Sequence, residues 1–255
     1  MRSPDVRAPG RSYGSAMTNK TALITGASRG LGEVVATFLA RAGYELVLTA
    51  RRADDLEAVA DRLREHTAVA ALPGDVADED HRRALHAAIH EIGGLDILVN
   101  NASELGPSPM PALADFPLDE LEHVLRVNVV APIGLVQELI WHLRRRGGLV
   151  VNISSDAAVG AYEGWGGYGA SKAALDLVSR TFAQELRADG ISVVAVDPGD
   201  MRTDMHQAAF PGEDISDRLL PDVTVPFWAW LFGADRETIN GGRFQAQGER
   251  WEIAS

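Results

Sequence analysis

The chain contains no cysteine, which excludes disulfide bonds, thiolate nucleophiles and cysteine-based metal sites. Basic residues are also scarce, because 24 lysines and arginines stand against 36 aspartates and glutamates, giving a formal net charge of −12. An acidic chain without a long basic run argues against nucleic acid or an anionic membrane as the main partner. A local phosphate site stays compatible with this charge, since a few arginines suffice there.

Long apolar runs are missing as well, and no stretch approaches the roughly 20 residues that a membrane-spanning helix needs. Residues 1–16 contain arginine, proline, glycine and serine but no apolar core, so they are not a secretory signal. We expect residues 1–18 to be a disordered leader, with a transit peptide as the alternative. Residues 19–255 are expected to form one domain of a cytoplasmic protein.

Short apolar runs alternate with amphipathic stretches along the chain. The apolar runs predict strands at 21–25, 45–50, 67–72, 95–99, 149–154, 191–196 and 242–246. Helical periodicity is strongest at 53–66, 78–92, 118–146 and 166–189. This alternation predicts an α/β fold, a Rossmann-type doubly wound parallel sheet of about seven strands with helices on both faces.

A glycine-rich turn joins the first predicted strand to the first predicted helix. The run GASRGLG occupies 26–32, and helical periodicity begins at Val34. Glycine permits a tight turn and a close approach to a pyrophosphate, and the helix start supplies free N–H groups and a positive dipole. An ordinary strand-to-helix turn is the alternative, but this position in an alternating chain favours a dinucleotide site.

The end of the second predicted strand favours a phosphorylated nicotinamide cofactor. A NAD site commonly has a carboxylate there for the ribose 2′-hydroxyl, whereas a 2′-phosphate requires arginine. Here Ala50 occupies the acidic position, Arg51 follows it, and Arg29 lies in the glycine loop. Two guanidinium groups near one ribose favour NADP(H). We interpret Arg52 as a solvated residue at a helix start.

Three polar side chains near the fifth predicted strand carry the candidate chemistry. Tyr168 and Lys172 are four residues apart, so a helix places both on one face. A nearby cation favours the ionised form of a phenol and lowers its pKa towards neutral. Ser155 follows the strand at 149–154, at the edge where open α/β sheets bind ligands. Together these groups suit proton transfer to a carbonyl oxygen that is receiving hydride. The tyrosine–lysine spacing alone is weak, because it recurs by chance in many helices.

Polar residues in the neighbouring loops are further candidates for ligand contacts at the same edge of the predicted sheet. Asp75 is either a contact for an adenine amino group or an ordinary turn residue. Asn100 and Asn101 close the fourth predicted strand, where they would line the floor beneath the nicotinamide ribose. Asn128 lies in an apolar helix. It either satisfies backbone groups at a helix distortion near Pro132 or positions a water or a lysine.

The segment after the sixth predicted strand has the composition of a substrate lid. Residues at about 200–225 mix Met205, His206 and Phe210 with prolines and acids, which indicates a mobile segment. The apolar run at 227–232 then predicts a helix that serves as core or subunit contact more readily than as a ligand platform.

Taken in order, these motifs resemble the short-chain dehydrogenase/reductase family in its short, single-domain branch. The resemblance covers Thr21 to Phe244 and includes 25–32, Asp75, Asn100-Asn101-Ala102, Asn128, Ser155, Tyr168, Lys172 and Pro198-Gly199. It implies that Tyr168 is the general acid/base, that Ser155 polarises the substrate carbonyl, and that Lys172 lowers the Tyr168 pKa and bonds the nicotinamide ribose. It also implies that Asn128 supports a proton-relay water and that Thr203 contacts the carboxamide.

The residues and the resemblance together predict an NADPH-dependent carbonyl reductase or alcohol dehydrogenase acting on a small molecule, without a metal. The expected catalytic residues are Asn128, Ser155, Tyr168 and Lys172. The expected cofactor-binding residues are Gly26, Ser28, Arg29, Gly30, Leu31, Gly32, Arg51, Asp75, Val76, Asn101, Ala102, Tyr168, Lys172, Pro198, Gly199, Met201 and Thr203. The alternatives are a 3-oxoacyl-thioester reductase and a catalytically silent NADP-sensing protein.

The resemblance also implies an assembly and exposes two departures. Family members typically form dimers or tetramers through the helices that match 118–146 and 166–189.

Ser103 replaces the glycine that usually follows Asn-Asn-Ala, and we expect it to narrow the pocket beneath the nicotinamide. Residues 240–255 lack the frequent Asp-Gly-Gly ending, which bears on pocket shape and assembly.

Overall fold

The computed structural model describes residues 19–251, so the expected leader at 1–18 lies outside the described part of the chain. Its seven strands are β1 Thr21–Thr25, β2 Glu45–Ala50, β3 Val69–Pro73, β4 Ile97–Asn100, β5 Leu149–Ile153, β6 Ser192–Asp197 and β7 Arg243–Gln245. They form one parallel sheet in the order β3-β2-β1-β4-β5-β6-β7. The predicted Rossmann-type sheet is confirmed.

The helices cover both faces of this sheet. Their bounds are α1 Gly30–Arg41, α2 Ala53–Leu63, α3 Glu79–Ile92, α4 Leu118–Leu125, α5 Ala131–Arg146, α6 Gly166–Glu185, α7 Asp204–Ala209, α8 Val225–Gly233 and α9 Arg236–Ile239. One apolar core joins the sheet to α1, α2 and α8, and a second joins it to α3 and α5. Because both faces are covered, β1, β4 and β5 are buried at every position, which explains their mostly apolar sequences.

The long helical stretch after β4 has the interruption that its sequence predicted. A π turn at Arg126–Val130 separates α4 from α5 and contains Asn128. The wider turn accommodates Pro132, which lacks a backbone N–H, without ending the helix. The fold therefore places Asn128 at a local distortion.

The combined helix Leu118–Arg146 is long and apolar enough to cross a membrane by length and composition, which the sequence analysis did not anticipate. Of its most apolar window, 44% is buried inside the protein. Core helices pass the same test, so this helix is weak evidence for a membrane.

The apolar run near the C-terminus is a core element, as expected. Phe227, Trp228 and Leu231 on α8 are fully buried in the same core as α1. Trp228 Nε1 donates to Thr224 Oγ1 at 2.8 Å, so the polar atom of this buried ring is satisfied. The short helix α9, which the sequence analysis missed, follows α8 and leads into β7.

Candidate active site

A cavity of about 1060 Å³ runs along the carboxyl ends of the central strands. Residues from the loops after β1, β4, β5 and β6 line it, among them Gly26, Asn101, Ser154 and Pro198. The strand order reverses between β1 and β4, where a doubly wound sheet leaves a crevice for a ligand. The cavity therefore lies where the sequence predicted a dinucleotide.

The glycine loop has a shape that side chains would destroy. Gly26 and Gly30 adopt φ angles of 65° and 59°, in the left-handed region. A Cβ atom on Gly32 would lie 2.3 Å from the carbonyl oxygen of Gly26. Asn101 Nδ2 fixes the loop by donating to the carbonyl oxygens of Thr25 and Gly26, at 2.9 and 3.1 Å.

The first turn of α1 fits a pyrophosphate. The helix begins at Gly30 without a side-chain cap, and Gly30 lines the cavity. Uncapped N–H groups and the positive end of the helix dipole bind phosphate oxygens. Together with the glycine-rich loop, this turn forms a cradle suited to a dinucleotide.

The two arginines predicted to bind a 2′-phosphate both line the cavity. Arg29 pairs with Asp204 at 2.5 Å, and Arg51 pairs with Glu104 at 3.2 Å. Both guanidinium side chains are more than half exposed, and exposed pairs of this kind contribute little stability, so an anionic ligand can compete for them. Arg52 pairs within the first turn of α2 and is solvated, as expected.

Most of the expected cofactor-binding residues line the cavity. Those that line it are Gly26, Ser28, Arg29, Gly30, Leu31, Arg51, Asp75, Val76, Asn101, Ala102, Tyr168, Lys172, Pro198, Met201 and Thr203. The cavity lining does not include Gly32 or Gly199: Gly32 lies in α1 against the Gly26 carbonyl oxygen, and Gly199 turns the chain with a φ angle of 74°. Asp75 has its predicted turn role too, because its Oδ1 accepts the backbone N–H of Ala77 at 2.9 Å. Thr203 Oγ1 likewise caps α7 by accepting the N–H of His206.

The tyrosine and the lysine of α6 lie side by side, almost fully buried. Lys172 Nζ lies 5.4 Å from the centre of the Tyr168 ring and donates to the carbonyl oxygen of Ile153 at 2.8 Å. The hydroxyl groups of Ser103 and Ser155 lie close enough to the phenol of Tyr168 to influence its pKa. Helical spacing and the end of β5 therefore bring the predicted phenol, hydroxyl and amine together.

Burial shifts the two ionisable groups in opposite directions. It raises the pKa of Tyr168 to about 12, although the nearby hydroxyl groups of Ser103 and Ser155 act to lower that pKa. This differs from the sequence-based expectation of a lowered phenol pKa, because desolvation outweighs the favourable contacts. Burial also lowers the pKa of Lys172 to about 8, against the attraction of Asp176.

Ser155 is held by side-chain and backbone contacts. Its Oγ donates to Asp156 Oδ1 at 2.9 Å and accepts the N–H of Ala157 at 3.1 Å. Its carbonyl oxygen accepts from Arg243 Nη2 at 2.8 Å, and Arg243 Nε also donates to Asp176 at 2.8 Å. Sequence reasoning missed Arg243, because only the pairing of β7 with β6 brings it to the site.

The amide of Asn128 is buried and fully hydrogen-bonded within the protein. Its Nδ2 donates to the Glu104 carbonyl oxygen at 2.8 Å and to Ser171 Oγ at 2.9 Å. Its Oδ1 accepts from the Glu104 N–H at 2.8 Å and from Ser103 Oγ at 3.1 Å. These bonds use both donors and both acceptor positions of the amide. Asn128 thus satisfies backbone groups, as one alternative predicted, but those of the loop after β4 rather than of its own helix.

An aromatic cluster connects the lid segment to the tyrosine. The Trp165 ring centre lies 5.9 Å from those of Tyr168 and Phe210, and His206 lies 4.9 Å from Phe210. The helix α7 therefore packs against the candidate site, while the mobility of 200–225 stays a prediction. Within residues 19–251, no group of three or more histidines and carboxylates could hold a metal ion.

Comparison with known proteins identifies the family. A family model described as short chain dehydrogenase matches residues 20–214. The chain belongs to the short-chain dehydrogenase/reductase family.

The relatives in this family are similar to the chain over most of its length. A rhamnolipid-biosynthesis 3-oxoacyl-(acyl-carrier-protein) reductase of Pseudomonas aeruginosa is 37% identical over 72% of this chain and 73% of its own. A 3-oxoacyl-(acyl-carrier-protein) reductase of Staphylococcus epidermidis is 31% identical over 89% and 91%. A short chain dehydrogenase of Shigella flexneri, solved in complex with NADP, superposes with a TM-score of 0.83 at 30% identity, covering 91% and 98%.

Membership in the short-chain dehydrogenase/reductase family makes the chain an oxidoreductase that uses a nicotinamide cofactor. Ser103 lines the cavity, and its predicted narrowing of the pocket beneath the nicotinamide stays a prediction. Its contact with Tyr168 could not have been read from the motif, because it depends on how the loop after β4 meets α6.

Proposed function

We propose that this protein is an NADPH-dependent carbonyl reductase and alcohol dehydrogenase, which moves a hydride between nicotinamide and a ketone or aldehyde. The observation that carries the proposal is the buried pair of Tyr168 and Lys172 at one wall of the cavity, with the half-buried Ser155 next to the phenol. A hydroxyl pair beside an ammonium suits carbonyl reduction, because the oxygen that gains charge needs both hydrogen bonds and a proton.

The protonation states at neutral pH suit the reductive direction. A bound nicotinamide would supply the hydride. Tyr168, with a pKa of about 12, holds its proton at pH 7 and is ready to donate it. Ser155 would bind the substrate oxygen, and Lys172, with a pKa of about 8, is mostly charged and attracts the phenolate as it forms. Asn128 would act by holding the loop after β4 against α6.

We assign NADP(H) as the cofactor. Arg29 and Arg51 are exposed at the cavity wall, and exposed guanidinium groups bind a phosphate in a bidentate manner. The Shigella flexneri relative was solved in complex with NADP, which supports the same choice.

A 3-oxoacyl thioester is the second candidate substrate. Two relatives, at 37% and 31% identity, are named as 3-oxoacyl-(acyl-carrier-protein) reductases. This substrate class requires the same proton transfer to a carbonyl, so the chemistry assigned to Tyr168 and Ser155 is unchanged.

The remaining features of the proposal concern the whole protein. We assign residues 19–255 to one domain with a substrate lid at about 200–225, acting in the cytoplasm as a homodimer or homotetramer. The acidic net charge supports a small-molecule substrate rather than nucleic acid or a membrane.

Replacing Tyr168 with Phe tests the function. The change removes the proton donor and keeps the ring, so carbonyl reduction should fall by at least about 100-fold while NADPH binding is retained. We would measure NADPH consumption with acetophenone, ethyl acetoacetate and acetoacetyl-CoA, and the Kd of NADPH by fluorescence. Tyr44→Phe, which changes a tyrosine outside the cavity lining, is the matched control and should keep wild-type turnover.

Near-normal turnover in the Tyr168→Phe protein would contradict the assignment. A wild-type protein that binds NADPH but reduces no carbonyl would favour the NADP-sensing alternative. Activity with acetoacetyl-CoA and not with the free ketones would select the thioester reductase.

A further inference from the structure

The hydroxyl of Ser103 lies beside two groups of the candidate site, the Asn128 amide and the Tyr168 phenol. Its Oγ donates to Asn128 Oδ1 at 3.1 Å, and the same hydroxyl is close enough to the phenol to lower the pKa of Tyr168. Ser103 and Tyr168 both line the cavity. The serine therefore connects the π turn with α6 through side chains alone.

A second route joins the same asparagine and tyrosine through the backbone. Asn128 Nδ2 donates to Ser171 Oγ at 2.9 Å, and Ser171 Oγ donates to the Tyr168 carbonyl oxygen at 2.6 Å. Asn128 is thus tied to the backbone of Tyr168 through Ser171 and to its phenol through Ser103. Because the amide of Asn128 is buried and saturated, the acceptor that holds Ser103 has a fixed orientation.

We propose that Ser103 is a positioning residue of the reaction, which holds the Tyr168 phenol beside Ser155 and stabilises the phenolate left after proton donation. The inference rests on the proposed carbonyl reductase function. In the resting protein the Ser103 O–H donates to Asn128 Oδ1 and leaves its lone pairs to the phenol. When the phenol O–H bond breaks and the proton joins the substrate oxygen, the Ser103 O–H turns to the phenolate oxygen. Asn128 Oδ1 then keeps the Glu104 N–H as its partner.

A glycine at this position would make neither bond. A hydrogen bond to an ionised phenol lowers its pKa, and Ser103 is one of two hydroxyl groups that oppose the effect of burial on Tyr168. Removing the hydroxyl should therefore raise the pKa of Tyr168. Alcohol oxidation needs the phenolate, so its rate below the midpoint should fall by about tenfold for each unit of this rise.

The test compares Ser103→Ala, Ser103→Gly and Ser103→Thr with the wild-type protein. Two readouts are required: the pH dependence of kcat/KM for oxidation of ethyl 3-hydroxybutyrate with NADP⁺, and the ionisation of Tyr168 itself. The second is followed by NMR of protein labelled with ¹³C at the tyrosine Cζ, with NADP⁺ bound and Tyr168→Phe assigning the signal. It needs no turnover, so it separates this proposal from the proposed function.

We expect Ser103→Ala and Ser103→Gly to shift the pH profile upwards by about one unit, since a hydrogen bond to a charged group is lost. At any pH on the rising part of the titration, the ionised fraction of Tyr168 should be smaller than in the wild type. Ser103→Thr, which keeps a hydroxyl, should restore both readouts. NADPH affinity should change less than twofold or so, because the cofactor cradle is untouched.

An unchanged Tyr168 titration in Ser103→Ala would overturn the proposal. It would also be overturned if Ser103→Thr were impaired as much as Ser103→Ala, since size and not the hydroxyl would then matter. If wild-type protein oxidises and reduces nothing, but the NMR midpoint still rises in Ser103→Ala, the proposed function fails while the role of Ser103 on Tyr168 stands.

Discussion

Individual side chains at the candidate site are poised by burial more than by charge. Tyr168 and Lys172 are both excluded from water, and exclusion from water favours the neutral form of each. It therefore raises the pKa of the phenol and lowers the pKa of the amine. The result is a phenol that keeps its proton at neutral pH beside an amine that is still mostly charged. Such a pair donates a proton and then holds the anion that remains.

The cofactor preference is decided at this same scale. Arg51→Ala removes an exposed guanidinium from the cavity lining, so the Kd of NADPH should rise by about 10- to 100-fold while that of NADH stays nearly constant. Titration of the purified protein with each cofactor measures both constants. Arg52→Ala is the matched control, because Arg52 pairs within its own helix and should matter little.

Equal affinity of the wild-type protein for NADPH and NADH would contradict the role of Arg29 and Arg51. The function would then move towards an oxidising dehydrogenase that uses NAD. If Arg52→Ala lost as much NADPH affinity as Arg51→Ala, the phosphate would be attracted by the summed positive charge of this surface and not by a specific contact with Arg51.

Whole helices position these side chains, and α8 is one example. It packs in the core beneath α1, a helix that lines the cavity. Its buried face packs against the same core as α1, the helix whose first turn cradles the expected pyrophosphate. Trp228 is fully buried, with ring centres of Phe227 and Phe232 at 4.9 and 5.8 Å. The position of α1 therefore depends on aromatic packing at the far end of the chain.

Truncating Trp228 should loosen this support. Trp228→Ala leaves a large cavity and leaves the Thr224 hydroxyl with only its bond to the Pro221 carbonyl oxygen, so the free energy of unfolding should fall by about 3–5 kcal/mol. Chemical denaturation monitored by circular dichroism measures the loss. The half-exposed Trp141 offers a matched control, and Trp141→Ala should cost no more than about 1 kcal/mol. Similar losses in the two variants would show that α8 is not a core element.

At the scale of the whole molecule, two helices leave large apolar side chains in solvent. Leu118 on α4 and Leu177 on α6 are each more than half exposed, although the chain has ample charged residues for its surface. These helices match the ones through which family members were expected to associate. An exposed apolar face of this kind is stabilised by contact with a second copy of the chain.

A charge placed on this face should separate the subunits. We expect the wild-type protein to have the mass of a dimer or a tetramer in light scattering, and Leu177→Glu to have a lower mass, because association would bury an unpaired carboxylate. Leu219→Glu, at an exposed leucine outside the two helices, should keep the wild-type mass. A monomeric wild-type protein would contradict the proposed assembly.

The sequence by itself determined the sheet, the glycine loop and the pairing of Tyr168 with Lys172. Each depends on a short-range rule: the apolar run of a buried strand, the conformational freedom of glycine, and the four-residue repeat of a helix face. These rules hold in any chain with such a pattern, so β1, β2 and the Tyr168–Lys172 helix face follow from the sequence alone. Element ends were less accurate, as at β3, where an edge strand has a weaker apolar signal.

Only the tertiary structure decided which distant side chains contact one another and how burial shifts the pKa of Tyr168. The bond from Ser103 to Asn128 joins residues 25 positions apart, and that from Arg243 to Ser155 joins residues 88 positions apart. Neither contact leaves a local pattern, because each arises where separate loops meet at the carboxyl edge of the sheet. The raised pKa of Tyr168 has the same origin, since desolvation is produced by all the elements that close over a side chain and not by its neighbours in sequence.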